Sequence, residues 1–341
     1  MPSRTNPEGA DDPAVPTTAT RVGLVVNPTA GHGRGRRAGL RTADLLTAAG
    51  HDVVDLSAGS VGDALAQARL ACAEGIDALV VVGGDGMVHL GVNAVVRTRT
   101  PLGIVAVGSG NDFAATLGLP LHDAARAVAV IRTALASGPR PVDAVHVTPH
   151  LPTAHPPGPS DAHHAGLHAD TSLGGRWYAG TLSLGLDAAI NATANTYRWP
   201  TGHGRYLRAV LACLRTFTPY GYRLTLDGTV QETLGTLVAV SSGPRVGGGL
   251  RIAPDAQVDD GLLHVVHAGP LSRASILRIF PGIYRGRHVH HHAVTVTHAR
   301  TVVVEGTTAG APPPVAYADG EAVGPVPLRA EIHPGVLHVL A

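Results

Sequence analysis

Two glycine-rich turns with adjacent carboxylates are the residues best suited to chemistry in this sequence. The first is Gly83-Gly84-Asp85-Gly86 and the second is Gly108-Ser109-Gly110-Asn111-Asp112. Glycine permits positive φ and lets backbone N–H groups approach phosphate oxygens without a Cβ in the way. Asp85 and Asp112 add carboxylates beside those phosphates, where a proton acceptor or a Mg²⁺ ligand is useful. The turns therefore predict binding of a nucleotide polyphosphate and phosphoryl transfer.

The elements around these turns predict a parallel sheet. The apolar runs 78–82 and 102–107 precede the two turns and are typical of buried parallel strands. A third turn, residues 27–31, follows the run 22–26 and precedes a helix predicted from Arg36 to Ala49. A strand at 51–56 and helices after Asp63, from Gly91 and from Asp123 complete the pattern. We expect a Rossmann-like open α/β nucleotide-binding domain over residues 21–140, with its ligand at the carboxyl ends of the strands.

The composition excludes several kinds of site. The sequence contains no lysine, so a fixed cation on a phosphate must be an arginine or a histidine. That excludes a Walker-type P-loop and Schiff-base chemistry, which both require lysine. The formal net charge of +1 gives no broad electrostatic field for nucleic acid. Cys72 and Cys213 lie in apolar stretches, which favours reduced core thiols in a cytoplasmic protein.

The residue pattern of the sequence changes near Pro139. Residues 141–327 carry short runs of valine, threonine and leucine and one helical segment, 204–216, which predicts a β-rich second domain. The runs 233–241 and 293–304 are each predicted as one strand. We expect a disordered tail at 1–20, a mobile insertion at 150–175, and a closing strand at 328–341 that returns to either domain. No apolar run is long enough for a membrane helix, so a lipid substrate would be reached from the membrane surface.

Two acidic turns in the second half are further candidate sites. Asp319-Gly320-Glu321 follows a predicted strand, and Gly320 allows a tight turn that directs both carboxylates into one cleft. An ordinary hairpin turn is the alternative. Asp255, Asp259 and Asp260 crowd one loop, which suits a hard cation, whereas a solvated acidic turn explains the same residues.

A histidine cluster and an arginine-bearing helix are weaker candidates for binding sites, and each has an ordinary structural explanation as well. His288, His290 and His292 alternate as they would on one strand face, a spacing that permits metal binding but that a histidine-rich surface strand also produces. The helix at 204–216 carries Arg205 and Arg208, which either contact anionic lipid or form a solvated face.

In order and spacing, the motifs 27–31, 83–86 and 108–113 resemble those of the diacylglycerol kinase catalytic-domain family, which includes sphingosine and ceramide kinases. The likeness continues through 247–256, 259–263 and 318–321, and so covers residues 21–341. The resemblance implies a β-sandwich second domain and a nucleotide bound between the two domains. Many family members have Thr and Glu where this chain has Met87 and Leu90.

The resemblance also implies roles for individual residues. It assigns the proton acceptor to Asp319 and Glu321, ahead of Asp85. It places a structural Mg²⁺ on the Asp260 carboxylate and the carbonyl oxygens of Gln257 and Leu262, and a second Mg²⁺ with ATP. The residues that it places around ATP are Asn27, Pro28, Thr29, Ala30, Gly31, Ser57, Gly83, Gly84, Asp85, Gly86, Met87, Val88, His89, Ser109, Gly110, Asn111 and Asp112.

The sequence therefore predicts an ATP- and Mg²⁺-dependent cytoplasmic kinase. It would phosphorylate a hydroxyl of diacylglycerol or a similar lipid at the inner membrane face, without a nucleic-acid partner, and a homodimer is compatible with the sequence. One alternative is a kinase of a soluble acceptor, because NAD kinases also use a Gly-Gly-Asp-Gly turn. Another is a nucleotide- or lipid-binding homologue that has lost catalysis, which Met87 and Leu90 motivate.

Overall fold

The computed structural model describes residues 20–150, 175–197, 199 and 203–341. The predicted tail and the predicted mobile insertion lie outside the described residues, apart from Thr20, His150 and Gly175 at their borders. Among the described residues, no helix has both the length and the apolar character needed to cross a membrane.

The first half alternates strands and helices, and its strands form a parallel array in the order β2-β1-β3-β4. Each residue of β3 is buried, which explains its uninterrupted apolar run. The strands are β1 Arg21–Val26, β2 Asp52–Asp55, β3 Ala78–Gly83 and β4 Leu102–Ala106. The helices are α1 Ala30–Ala48, α2 Val61–Ala73, α3 Asp85–Val95, α4 Asp112–Thr116 and α5 Ala124–Ser137.

Two of these helices begin earlier than predicted. The structure starts α1 at Ala30 rather than Arg36, and α3 at Asp85 rather than Gly91. Glycine and polar residues give both first turns weak helix propensity, so the sequence pattern misses them. The consequence is that each helix begins directly at the end of a glycine-rich turn.

The second half is mostly antiparallel. Its strands are β5 Arg140–Pro149, β6 Arg176–Tyr178, β7 Thr181–Gly185, β8 Tyr220–Leu226, β9 Thr229–Gly235, β10 Leu237–Ser241, β11 Leu263–Ala268, β12 Val294–Ala299, β13 Thr301–Gly306, β14 Ala316–Ala318, β15 Glu321–Gly324 and β16 Leu328–Val339. Its helices are α6 Leu186–Thr196, α7 His203–Thr216 and α8 Arg273–Ile283.

Strand β16 connects the two halves. It pairs antiparallel with β5 and β13, and its end pairs parallel with β4. The Leu340 N–H donates to the Leu102 carbonyl at 2.9 Å. A ten-stranded sheet therefore spans both halves, and a six-stranded sheet, β12-β11-β10-β7-β14-β15, shares a core with its antiparallel part through side chains such as Tyr178, Leu184 and Val304. The predicted fold class, an α/β unit followed by a β-sandwich, is confirmed.

Several local predictions for the second half are wrong. The runs 233–241 and 293–304 each contain two strands that belong to different sheets. The second break is a corner where the Asp227 carboxylate accepts hydrogen bonds from the N–H groups of Arg300 and Thr301 at 2.8–3.1 Å. Helices α6 and α8 were not predicted, because their apolar residues resemble those of the neighbouring strand runs.

The histidine cluster does not lie on a strand. Arg287–His290 forms a 3₁₀ turn, and the His288 ring is buried with its Nε2 2.9 Å from the Ile252 carbonyl oxygen. Throughout the described ranges, no group of three or more His, Cys, Asp or Glu could hold a metal ion.

The side chain of Asn93 joins the two halves of the chain by hydrogen bonds to β6. Its Nδ2 donates to the carbonyls of His89 and Trp177, both at 2.8 Å, and its Oδ1 accepts from the Trp177 N–H at 3.0 Å. Asn93 is buried, so the two backbone groups of β6 have no access to water at this point.

We expect Asn93→Leu, which keeps the size but removes all three bonds, to lower the free energy of unfolding by about 2–4 kcal/mol, because buried Trp177 backbone groups lose their partners. Urea denaturation followed by far-UV circular dichroism measures this. The exposed helix variant Ser137→Ala is the control. An Asn93→Leu midpoint equal to that of the control would contradict the role given to Asn93.

Candidate active site

The three glycine-rich turns lie side by side where β1, β3 and β4 end. The Asn27 N–H donates to the Val82 carbonyl at 3.0 Å, and the Gly108 N–H donates to the Gly83 carbonyl at 3.1 Å. A Cβ on Gly108 would collide with the Cα of Gly84, so these two turns are in backbone contact. The arrangement brings the first residues of α1, α3 and α4 to one edge of the sheet.

The helices at this edge start without a side-chain cap. The N-cap residues of α1, α3 and α4, which are Thr29, Gly84 and Asn111, make no side-chain capping hydrogen bond. In contrast, Ser60, Asp123 and Ser272 cap α2, α5 and α8. Uncapped N–H groups and the positive end of the helix dipole favour an anion. The three helices that begin at the glycine-rich edge thus differ in capping from α2, α5 and α8.

The polar side chains in the turns mainly hold the backbone in shape. Asn27 Oδ1 accepts from the N–H and the Oγ1 of Thr29 at 3.0 and 2.8 Å. Ser57 Oγ accepts from the Val26 N–H at 3.0 Å. Asn111, in the left-handed region at φ 60°, exchanges two hydrogen bonds with Gly108 at 3.0 and 2.9 Å. Contact with phosphate would consequently fall to main-chain N–H groups.

Residues 87–90 contribute little to the open cleft. Met87 and Leu90 pack in the core, and only Val88 of this segment lines the cleft. His89 is buried, and burial, followed by the charge of Arg176, lowers its pKa to about 4, so the ring is neutral at pH 7. Many family members have polar Thr and Glu side chains at positions 87 and 90. His89 is neutral and Asn93 is hydrogen-bonded to Trp177, so neither supplies an equivalent polar group to the cleft.

A cleft of about 380 Å³ lies between the glycine-rich edge and the second half of the chain. Asp85 and Asp112 enter it from the first half, and Asp319 and Glu321 from the β14–β15 turn. The sequence-predicted catalytic residues are thus brought together in one cleft. Of the residues predicted to bind ATP, the cleft is lined by Asp85, Gly86, Val88, Gly110 and Asp112.

Each aspartate is held by backbone N–H groups. Asp112 accepts from Gly248 and Gly249, both at 2.7 Å, and this contact joins the two halves. Asp319, at φ 49°, accepts from the N–H groups of Ala179, Gly180 and Thr181 at 3.0–3.1 Å. Asp85 accepts a longer bond, 3.4 Å, from the N–H of Phe113.

Glu321 lies directly over the first turn of α3. A Cβ on Gly86 would be 3.1 Å from its Oε1. The side chain is exposed, whereas Asp319 is partly buried and oriented by its three backbone donors. Asp319 is therefore the more rigidly positioned of the two carboxylates.

The cleft raises the proton affinity of its carboxylates. Burial, then the charges of Asp112 and Asp319, raises the pKa of Asp85 to about 7. Burial, opposed by the three backbone hydrogen bonds, raises the pKa of Asp319 to about 6. Acids with pKa values near neutral pH can exchange protons during a reaction, and clustered carboxylates also favour a cation between them.

Arg245 is a functional candidate that the sequence analysis missed. It is the one cationic side chain among the residues that line the described cleft. Its charge lowers the pKa of Asp112, against a larger rise from burial. The available signal was its position two residues before the glycine run 247–249 in a chain without lysine.

The residues predicted to hold a structural Mg²⁺ lie on the loop before β11. Asp260 Oδ1 accepts from the Leu262 N–H at 2.9 Å, and Oδ2 is 2.9 Å from His264 Nε2 and 3.4 Å from the Gln257 N. Three protein groups already contact this carboxylate, and within the described residues no cluster of three or more His, Cys, Asp or Glu surrounds it, so the arrangement does not fit a bound Mg²⁺.

The crowded carboxylates predict a gain in stability when one is neutralised. With its pKa raised to about 7, Asp85 is protonated in the folded protein at pH 5 and mostly charged at pH 8. We expect Asp85→Asn to raise the melting temperature by several degrees at pH 8 and by much less at pH 5. Thermal unfolding without nucleotide at both pH values measures this. Equal shifts at the two pH values would show that the charge of Asp85 is not the cause.

Comparison with known proteins identifies the family. Residues 21–147 match the model of the diacylglycerol kinase catalytic domain, and residues 180–341 match that of the YegS C-terminal NAD kinase beta sandwich-like domain. A diacylglycerol kinase from Mycobacterium tuberculosis is 35% identical over 94% of each chain. One from Bacillus subtilis is 25% identical over 83% of this chain and 85% of its own.

The fold is shared with solved structures. A crystal structure of a diacylglycerol kinase from Bacillus anthracis covers 95% of this chain and 97% of its own with a TM-score of 0.65, at 21% identity. Both halves therefore match in sequence and in architecture, and the chain belongs to the diacylglycerol kinase family, whose members are transferases that phosphorylate an alcohol group.

Proposed function

We propose that this kinase transfers the γ-phosphoryl group of ATP to a hydroxyl of diacylglycerol or a similar lipid. The observation that carries the proposal is the meeting of Asp85, Asp112 and Asp319 with uncapped helix starts across one cleft. The names of the relatives from Mycobacterium tuberculosis and Bacillus subtilis support the same acceptor.

The glycine-rich edge would bind the polyphosphate of ATP. The main-chain N–H groups of 27–31, 83–86 and 108–110 would hold the phosphates, and Mg²⁺ arriving with ATP would neutralise charge between phosphate and the cleft carboxylates. Asp85 and Asp112 would hold that ion, most directly Asp85, whose carboxylate has the weaker protein hydrogen bond.

Asp319 is the proposed proton acceptor. A pKa of about 6 leaves it ionised at pH 7 yet able to take a proton from the acceptor hydroxyl late in phosphoryl transfer. Its three backbone donors fix the carboxylate in place. Exposed Glu321 would assist from the mouth of the cleft.

The cleft also suits a lipid headgroup. Val88, Phe113, Leu250 and Tyr206 contribute apolar surface to the same cavity that contains Asp319. A polar hydroxyl end and an apolar body can thus be bound together. A kinase of a soluble acceptor is the alternative that the likeness to NAD kinase in residues 180–341 favours.

Asp319→Asn is expected to lower turnover of a mixed-micelle diacylglycerol substrate by about 10²–10⁴-fold, the range for loss of a general base. Product formation is followed with labelled ATP and Mg²⁺, beside Glu321→Gln, for which we expect a smaller loss. ADP binding by calorimetry controls for folding, because Asn also loses one backbone hydrogen bond.

Two results would count against the proposal. Full turnover by Asp319→Asn would reject this residue as the base. Wild-type protein that phosphorylates no lipid in a panel of diacylglycerol, ceramide, sphingoid and glycolipid acceptors would reject the lipid kinase. Phosphorylation of NAD instead would support the soluble-acceptor alternative.

We further propose that the enzyme reaches its lipid from an anionic membrane surface through α7 and α8. Between Asp187 and Asp227 the sequence has five arginines and no carboxylate, and between Asp260 and Glu305 it again has five arginines and no carboxylate. Helices α7 and α8 lie in these two stretches and share one apolar cluster, which includes Ala209, Leu214 and Ile276. Five of these ten arginines lie on α7 and α8 themselves, and neither helix contains a carboxylate.

These helices and the residues that flank them, Trp199 and Tyr284, expose large apolar side chains. Trp199, Leu207, Leu211, Leu277 and Tyr284 are each half or more exposed, and no residue of α8 is fully buried. Tyr206 on α7 lines the cleft one residue before exposed Leu207. An apolar, arginine-flanked face at the cleft is what an interfacial lipid enzyme needs.

The double variant Leu207→Ser/Leu211→Ser is expected to bind phosphatidylglycerol vesicles at least tenfold more weakly in flotation assays, because each leucine loses apolar burial in the bilayer. Leu40→Ser/Leu70→Ser is the matched control, since these leucines are equally exposed on α1 and α2. Turnover of a water-soluble, short-chain diacylglycerol should not change. Equal vesicle binding by the two double variants would reject this face.

A further inference from the structure

Arg245 occupies a position that no assigned role explains. It lies in the segment between β10 and β11, which crosses from the second half of the chain to the glycine-rich edge. Among the residues that line the described cleft, Asp85, Asp112, Asp187, Asp319 and Glu321 are acidic and Arg245 alone is cationic. A cation held by the protein in such a cleft would add to the charge of Mg²⁺ in stabilising an anionic polyphosphate.

The backbone around Arg245 is held firmly. The Ser242 N–H donates to the Gly180 carbonyl at 2.8 Å. Val246 and Leu250 exchange two backbone hydrogen bonds at 2.9 and 3.0 Å. Gly248 and Gly249 donate to Asp112 at 2.7 Å each. The Cα of Arg245 is therefore fixed relative to the Asp112 carboxylate.

The guanidinium itself is not committed to a protein partner. Within the described ranges it makes neither a hydrogen bond nor an ion pair closer than 4.0 Å, although the residue is partly buried. Asp112, whose pKa is lowered by the charge of Arg245, already has two backbone donors. A partly buried guanidinium presents five N–H donors, and a phosphoryl group can accept two of them in parallel.

We propose that Arg245 contacts the transferring γ-phosphoryl group of the nucleotide and stabilises its charge in the transition state. The inference rests on the proposed nucleotide site, but not on the identity of the acceptor. Arginine is suited to this role because its planar fork matches phosphate oxygens and it stays charged at any relevant pH. The chain has no lysine that could do the same.

The other arginines near the site are used differently. Arg34 Nε donates to the Gly31 carbonyl at 2.8 Å in the first turn of α1. Arg251 donates to the Pro254 carbonyl at 3.2 Å. Neither lines the cleft. Arg251 follows Arg245 in the same segment and offers a matched control for loss of an arginine.

The test compares ligands that differ by one phosphoryl group. Calorimetry with Mg²⁺ measures the binding of ADP and of the non-hydrolysable analogue β,γ-imido-ATP to wild type, Arg245→Gln, Arg245→Lys and Arg251→Gln. We expect Arg245→Gln to weaken β,γ-imido-ATP at least tenfold and ADP less than threefold. Turnover should fall about 10²–10³-fold, the usual cost of removing one charge-stabilising donor. Arg245→Lys should recover part of both, and Arg251→Gln should match wild type.

Each other outcome overturns the proposal. Equal weakening of ADP and β,γ-imido-ATP would place Arg245 on the diphosphate or show that it only shapes the loop. Unchanged affinity and turnover would remove it from the site. Because the binding arms need no acceptor, tight analogue binding without phosphorylation of any lipid would reject the proposed acceptor while leaving Arg245 tested.

Discussion

The pairing of the Asp112 carboxylate with the N–H groups of Gly248 and Gly249 is the contact on which the site depends. Asp112 begins α4 at the glycine-rich edge, and the two glycines belong to the second half of the chain. Two bonds of 2.7 Å to a buried carboxylate are strong, because a charged acceptor shortens and strengthens N–H···O contacts. The contact holds the 248–249 segment, three residues after Arg245, against the glycine-rich edge.

Burial of the Asp112 carboxylate in this contact disfavours its charged form. Burial raises the pKa of Asp112, and its backbone donors and Arg245 offset part of that rise. Asp85, with fewer donors and two neighbouring carboxylates, remains less compensated. The described lining of the cleft contains Asp85, Asp112, Asp187 and Asp319 and only one cationic side chain, Arg245. Negative charge therefore accumulates in this cleft, and a bound cation would reduce the repulsion among the carboxylates.

Much of the first half follows from the sequence, since buried parallel strands and glycine-rich turns leave strong local patterns. The runs before Gly83 and Gly108 predicted β3 and β4 within one residue at their ends. The second half was less predictable. The pattern of residues 233–241 predicts one strand, but the chain passes from one sheet to the other at Thr236. The Thr236 N–H there donates to the carbonyl of Ala268, which is far away in the sequence. Such long-range pairing has no local signal.

In the candidate site, too, some features could be predicted from the sequence and others could not. Asp85, Asp112, Asp319 and Glu321 could be identified because each sits in a short glycine-containing motif. Their convergence could not, since it depends on β7 and β14 pairing through Tyr317 and Ser183. Arg245 could not be singled out for a related reason. Its significance comes from being the one cationic side chain among the described lining residues, which is a property of the assembled cleft and not of the residues beside it in the sequence. Sequence motifs thus identify candidate reacting groups, whereas the charge balance among them is determined only when the two halves are folded together.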